Sequence, residues 1–223
     1  MANTSNPFGF KYWGPKYGGG TYGLLTRTIA AAYGTALYRG DLMTYVSSSA
    51  TGYIKQAAAA QAAANAYNVG IFYGVEYFSV AQGRQIFSTY WPTSDHSATP
   101  GGDGKALIIP LFGSNGPNLF EVQVDNSAGA PFTMTAQGSN VDIVVGTGTV
   151  ISGYAQSSMQ ILASSLATGQ GSSGATGLNY PFRVWDLFSN FAAPGQNGSD
   201  NTTVYNHVIV EPNPNIVATA GLY

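Results

Sequence analysis

The chain has 223 residues, of which 44% are hydrophobic and only 8% charged, with two histidines, no cysteine and a formal net charge of −2. Lysine and arginine never cluster, so the basic stripe of a nucleic-acid groove is missing. Without cysteine there is neither a disulfide nor a thiolate metal site, and no apolar run reaches the roughly 18 residues of a membrane-spanning helix.

Globular domains average about 25% charged residues, so this surface is covered mainly by Ser, Thr, Asn, Gln, Gly and Tyr. Such a surface costs little to desolvate against a partner; it is equally the surface of a neutral virion or secreted domain. The first residues lack the basic head and apolar block of a signal peptide, and the expected place of synthesis is a cytoplasm without export.

Residues 1–23 show neither helical nor alternating periodicity, and Pro7, Pro15 and several glycines oppose a long regular element. Yet Phe8, Phe10, Tyr12, Trp13, Tyr17 and Tyr22 are too many rings for a solvated tail. The expectation is an extended N-terminal arm whose rings dock either on the protein's own body or on a neighbour. Residues 24–30 read as a first strand leading to Ala36-Leu37-Tyr38. The tripeptide Arg39-Gly40-Asp41 matches a cell-adhesion motif but reads as a β-turn, with Gly40 making the bend and Asp41 bonding back to main chain.

Between 36 and 91, short aromatic and apolar runs alternate with turn residues, the punctuation of antiparallel strands. Ala81-Gln82-Gly83 reads as a hairpin loop joining Val75–Val80 to Arg84–Trp91, with Gly at the strained position. The alanine-rich stretch 56–66 is either a short helix or an irregular connection. Residues 93–105 read as a polar surface loop and a place where the body could divide. Strands are expected at 106–112, at 119–124 (the cleanest alternation), at 132–135 and at 141–145. Residues 157–162 read as a strand or a helical turn. Residues 168–177 and 190–201 read as flexible or loop segments, 178–188 as a second concentration of rings, and 204–211 as the final strand. The predicted fold is mainly β: an antiparallel barrel or sandwich body (24–223) with the extended arm (1–23), long loops and little helix.

Chemistry is sparse. Two G-x-G-x-x-G matches, at 18–23 and 169–174, have no strand before and helix behind them and read as coincidence in a glycine-rich chain. His96 is expected to be solvated and His207 half-buried in a strand; neither has a metal-ligand neighbour at the right spacing. Glu76 and Glu121 are the one pair of acids in aromatic strand contexts, and a glycosidase would need them to face each other across roughly 5–9 Å. Otherwise each faces solvent or caps a turn. No G-x-S-x-G marks a nucleophile. Asn3, Asn197 and Asn201 fit the glycosylation pattern and read as polar loop residues. No catalytic, cofactor or metal residue is expected.

Five blocks stand out together: NPFGF at 6–10, ALYRGDLM at 36–43, VGIFYGVEY at 69–77, YPFRVWD at 180–186 and YNHVIVEPN at 205–213. Their combination resembles the decoration (cement) proteins carried on the heads of tailed bacteriophages. The resemblance implies a β-rich body and trimers at threefold or quasi-threefold positions of the shell. It also implies an arm reaching over neighbouring capsid subunits, and no catalysis. The implied partners are the major capsid protein and two further copies of the chain. The implied location is the outer capsid surface, after synthesis in the host bacterium. The arm rings Phe8, Phe10, Tyr12, Trp13, Tyr17 and Tyr22 are then the capsid-binding residues. A carbohydrate-binding module using Tyr90, Trp91 or Trp185 is the alternative, and a glycoside hydrolase using Glu76 and Glu121 a more distant one.

Overall fold

The computed structural model describes residues 3–18, 22–46, 52–58, 68–97, 99, 102–114, 116–151, 154–166, 180–188 and 200–213. The first strands are β1 (Lys11–Pro15), β2 (Leu25–Ile29), β3 (Leu37–Tyr38), β4 (Leu42–Tyr45), β5 (Ile54–Gln56) and β6 (Asn68–Ser79). The middle of the chain adds β7 (Arg84–Ser88), β8 (Tyr90–Trp91), β9 (Gly104–Pro110), β10 (Phe112–Gly113) and β11 (Gly116–Gln123). Then follow β12 (Asn140–Val141), β13 (Ile143–Val144), β14 (Thr149–Ile151), β15 (Tyr154–Gln156), β16 (Gln160–Ile161), β17 (Phe182–Leu187) and β18 (His207–Pro212).

Two antiparallel sheets form the body. The first runs β1-β11-β18-β17-β12, with β10 folded back on β11; the second runs β2-β9-β6-β4-β5, with β7 on the far half of β6. Three two-stranded ribbons, β3–β8, β13–β16 and β14–β15, complete the pairing. A single parallel bridge between Thr28 and Tyr53 draws the outer strands of the second sheet together. That sheet therefore curls around a core of its own.

Side-chain alternation explains how one curled sheet serves two cores. Neighbours in a strand point to opposite faces. Met43, Phe72 and Ile108 turn inward, joining Ile29, Leu37, Ile54, Val75 and Trp91 in the hollow. Leu42, Ile71 and Ile109, adjacent to them in sequence, turn outward and meet Phe120, Val122, Phe182, Val184, Val208 and Val210 of the first sheet. The result is a sandwich in which one layer is rolled.

The antiparallel β body, the 81–83 hairpin and the strands near 24–30, 106–112, 119–124 and 204–211 stand as expected. Gly83 holds the positive φ of the hairpin, 64°, and its N–H reaches Ser79 O at 2.9 Å. Residues 132–135 do not form a strand: a 3-10 turn occupies Met134–Ala136, because Asn206 takes both main-chain groups of Phe132. The possible helix at 56–66 lies outside the described residues beyond Ala58, as do the connections at 168–177 and 190–199.

Of the two docking places expected for the N-terminal arm, the described residues show the protein's own body. β1 pairs with β11 from Lys11 opposite Glu121 to Pro15 opposite Asn118, and Phe10 is 3% exposed within the core between the sheets. The reason is twofold. β11 would otherwise present an unpaired edge, and burying a phenylalanine ring gains about 2–3 kcal/mol. Phe10→Ala should therefore destabilise the protein by about 3–5 kcal/mol in urea unfolding. A free arm would leave the unfolding midpoint unchanged.

Candidate attachment surface around the N-terminal strand

The six rings of the N-terminal segment divide between core and surface, Tyr12 and Trp13 by the alternation of β1. Phe10 stacks on Phe182 with centroids 4.6 Å apart, and Tyr12 sits edge-on to Tyr22 at 4.4 Å and Phe120 at 6.2 Å. These point to the core. Trp13 and Tyr17 point away from it and are 54% and 69% exposed. Phe8 packs edge-on against His207 at 5.0 Å, His207 lies 5.9 Å from Phe188, and Phe188 meets Trp13 at 5.3 Å. A ladder of four rings thus crosses the outer face of the first sheet and ends at an open tryptophan.

The segment is held at one joint. Phe10 N–H donates to Gly40 O at 2.9 Å, Gly40 N–H to Phe72 O at 2.9 Å, and Phe72 N–H to Asp41 O at 2.8 Å. Three chain segments distant in sequence are tied by three main-chain bonds. Both glycines at the crossing adopt positive φ, 73° at Gly9 and 100° at Gly40. A Cβ at Gly9 would stand 2.7 Å from Gly40 O and 2.5 Å from Ser157 Cβ. Only residues without a side chain fit there. The Arg39-Gly40-Asp41 turn is accordingly internal, with Asp41 1% exposed. The Asp41 carboxylate accepts from Tyr38 N–H and Gln56 Nε2, both at 2.9 Å, and from the Ser157 hydroxyl. Burial nevertheless pushes its pKa from 3.8 up to about 6.

Two further carboxylates lie beneath the outer rings. Glu211, 1% exposed, receives Lys16 Nζ at 2.7 Å on one oxygen and Arg183 Nε at 2.6 Å, together with Arg183 Nη2, on the other. Lys16 Nζ also lies 4.3 Å from the centroid of Trp185, a ring 39% exposed. Glu121, 5% exposed, faces His207 Nδ1 at 3.0 Å and Lys11 Nζ at 3.4 Å. Burial alone would raise the Glu121 carboxyl. The His207 hydrogen bond and the charges of Lys11 and His207 outweigh it and hold the carboxyl below its ordinary value. Lys16 is thus drawn down to Glu211 beneath the Trp185 ring, while the Lys11 side chain stays 71% exposed above Glu121.

Several expected residues fall elsewhere. Trp91 is fully buried and cannot serve as a sugar platform; its indole N–H donates to Tyr33 O at 3.0 Å. Tyr90 is half-buried against Tyr38. His96 is not solvated: it is 7% exposed, with its ring 4.3 Å from that of Trp91. Glu76 and Glu121 lie on outward faces of different sheets, so the glycosidase pair is not assembled; Glu121 is committed to Lys11 and His207. His207 is half-buried, as expected. Lys16, Arg183 and Glu211 escaped the sequence reading. Glu211 lies between Val210 and a proline in a strand whose alternate residues are core valines, which was the available signal of an acid facing its own partners. Among the described residues no three potential metal ligands come together. Comparison with family models, curated proteins and solved structures gives no match.

Two outcomes test this geometry. Removing the Glu211 charge leaves Lys16 and Arg183 unpaired in a nearly closed site, so Glu211→Gln should cost about 3 kcal/mol in urea unfolding. Asp41 has the reverse sign from a salt-bridged acid. Its folded pKa lies above the unfolded value, so its contribution is complete below about pH 4 and is lost as pH rises through about 6. The loss amounts to about 3 kcal/mol at neutral pH. The stability of Asp41→Asn relative to wild type should therefore rise by about that much between pH 4 and pH 7. A pH-independent difference would refute the assignment.

Proposed function

We propose that the chain is a structural protein of a virus particle, a decoration protein of the tailed-phage head type, with no catalytic role. In this reading three copies bind the outer surface of the assembled head, in contact with its major capsid protein, and stabilise the lattice. The observation that carries the reading is the division of rings in one short segment: Phe10 is fixed in the core and Tyr12 packs against it, while Trp13 and Tyr17 stand open.

That arrangement supplies what a fastener needs. Aromatic anchors dominate the energetics of protein interfaces, and anchors already held by a sheet lose little conformational entropy on binding. The surrounding surface carries few ions to strand, since 8% of the chain is charged and the nearby Lys16, Arg183 and Glu211 satisfy one another. In a trimer the second and third contacts become effectively intramolecular. A protein that binds only the assembled lattice stabilises it by mass action.

The outward rings of the N-terminal segment are the point of contact, and deleting residues 1–23 would be a poor test because it would also open the core. The informative variant is Trp13→Ala combined with Tyr17→Ala, mixed with undecorated heads of the particle that carries the chain. Affinity should fall at least a hundredfold, about 2.7 kcal/mol, with an unchanged unfolding midpoint and a trimer in mass photometry or on the shell. Full occupancy by the double variant would contradict the proposal.

A further inference from the structure

The outward face of the curled sheet is only half covered. Ile71 and Ile109, near one end of β6 and β9, lie against the first sheet. Beyond the irregularity between Phe72 and Gly74 no described residues cover the same face, and Glu76 and Phe78 are exposed. A shallow, open depression of about 550 Å³ lies there, lined among others by Thr26, Glu76, Gln85, Phe87, Lys105 and Leu107.

Its chemistry is ordered by strand register. Phe87, Glu76, Lys105 and Thr28 stand opposite one another across β7, β6, β9 and β2. Strands are about 4.8 Å apart, so the row spans about 14 Å. The Phe87 ring is 55% exposed and leans over Gly74, where an added Cβ would come within 2.6 Å of its Cζ. The ring therefore lies along the sheet and offers its side to solvent. Glu76 and Lys105 are direct cross-strand neighbours, yet among the described residues they form no ion pair, and neither they nor Gln85 make a side-chain hydrogen bond.

We propose that this row is a saccharide-binding site, with a sugar ring stacked on Phe87 and its hydroxyls taken by Glu76, Gln85 and Lys105. A pyranose has an apolar C–H face and a rim of hydroxyls that both donate and accept. One open ring beside an unpaired acid, amide and ammonium is the complement of that pattern. A protein partner would have to bring an opposite charge to each of Glu76 and Lys105, whereas hydroxyls both donate and accept and serve either group. The single cation, with an acid next to it, is no match for a phosphate backbone. The length of the row fits a short oligosaccharide. This site is on a different sheet from Trp13 and Trp185, and its existence does not depend on the head-decoration reading.

The test is a glycan microarray probed with the purified full chain, followed by calorimetric titration of the best-bound oligosaccharide. Selective binding is expected, weakened at least tenfold by Phe87→Ala and by Glu76→Gln and unchanged by Trp13→Ala. Phe87 and Glu76 are exposed, and circular dichroism should find both variants folded. No selective signal on the array would overturn the proposal. So would binding that keeps its wild-type affinity in folded Phe87→Ala, or that disappears in Trp13→Ala.

Discussion

The crossing of residues 8–10 over the turn at residues 39–41 is the constraint on which the rest of the molecule depends. Main chain approaches main chain there more closely than any side chain permits, and the glycines at 9 and 40 make the approach possible. The contact fixes the start of the chain against the middle strand of the curled sheet through Phe72. From that point Phe10 is delivered to Phe182, β1 is aligned on β11, and the outer sheet gains its edge. Four of the five sequence blocks meet directly within this joint and its immediate contacts. The fifth, 205–213, joins through His207 against Phe8 and through Asn213, which bonds Tyr180 and Pro181 at the head of β17.

The consequences for recognition follow from strand geometry. A segment paired into a sheet cannot point all its rings one way, so the same strand must both fasten itself and display something. Its inward residues secure it and its outward ones are then presented on a rigid support. Charge is handled consistently: of the two acids under the outer face, Glu121 is met by Lys11 and the His207 ring and Glu211 by Lys16 and Arg183. The face keeps the stem and ring surfaces of Lys16, Trp13 and Trp185, with Lys16 and Arg183 held against one buried carboxylate.

Much of the fold was legible because the relevant signal is local. The alternation in 119–124 and 204–211, the turn residues at 81–83 and the glycine at 40 each act within a few residues of themselves. What was not legible depends on partners far away in sequence. Nothing within residues 1–23 reveals that β11 lacks a neighbour on one side, so an edge strand read as an arm. His96 looked solvated because its loop is polar, but Trp91 supplies the apolar wall. The run at 132–135 has strand composition, and Asn206, more than seventy residues on, claims its main chain. The open rings could be named from sequence as candidates, but whether a given ring faced core or solvent required the register of β1.

The N-terminal segment is a built part of the body, so that only its outward rings are free to bind. Amide hydrogen exchange at Phe10 and Gly40 addresses it most directly, since both N–H groups are committed at the crossing. Protection comparable to that of Phe72 in the middle of the curled sheet, lost only on global unfolding, is expected. Exchange at the rate of an unstructured peptide at Phe10, with Phe72 still protected, would show a tethered arm and contradict it.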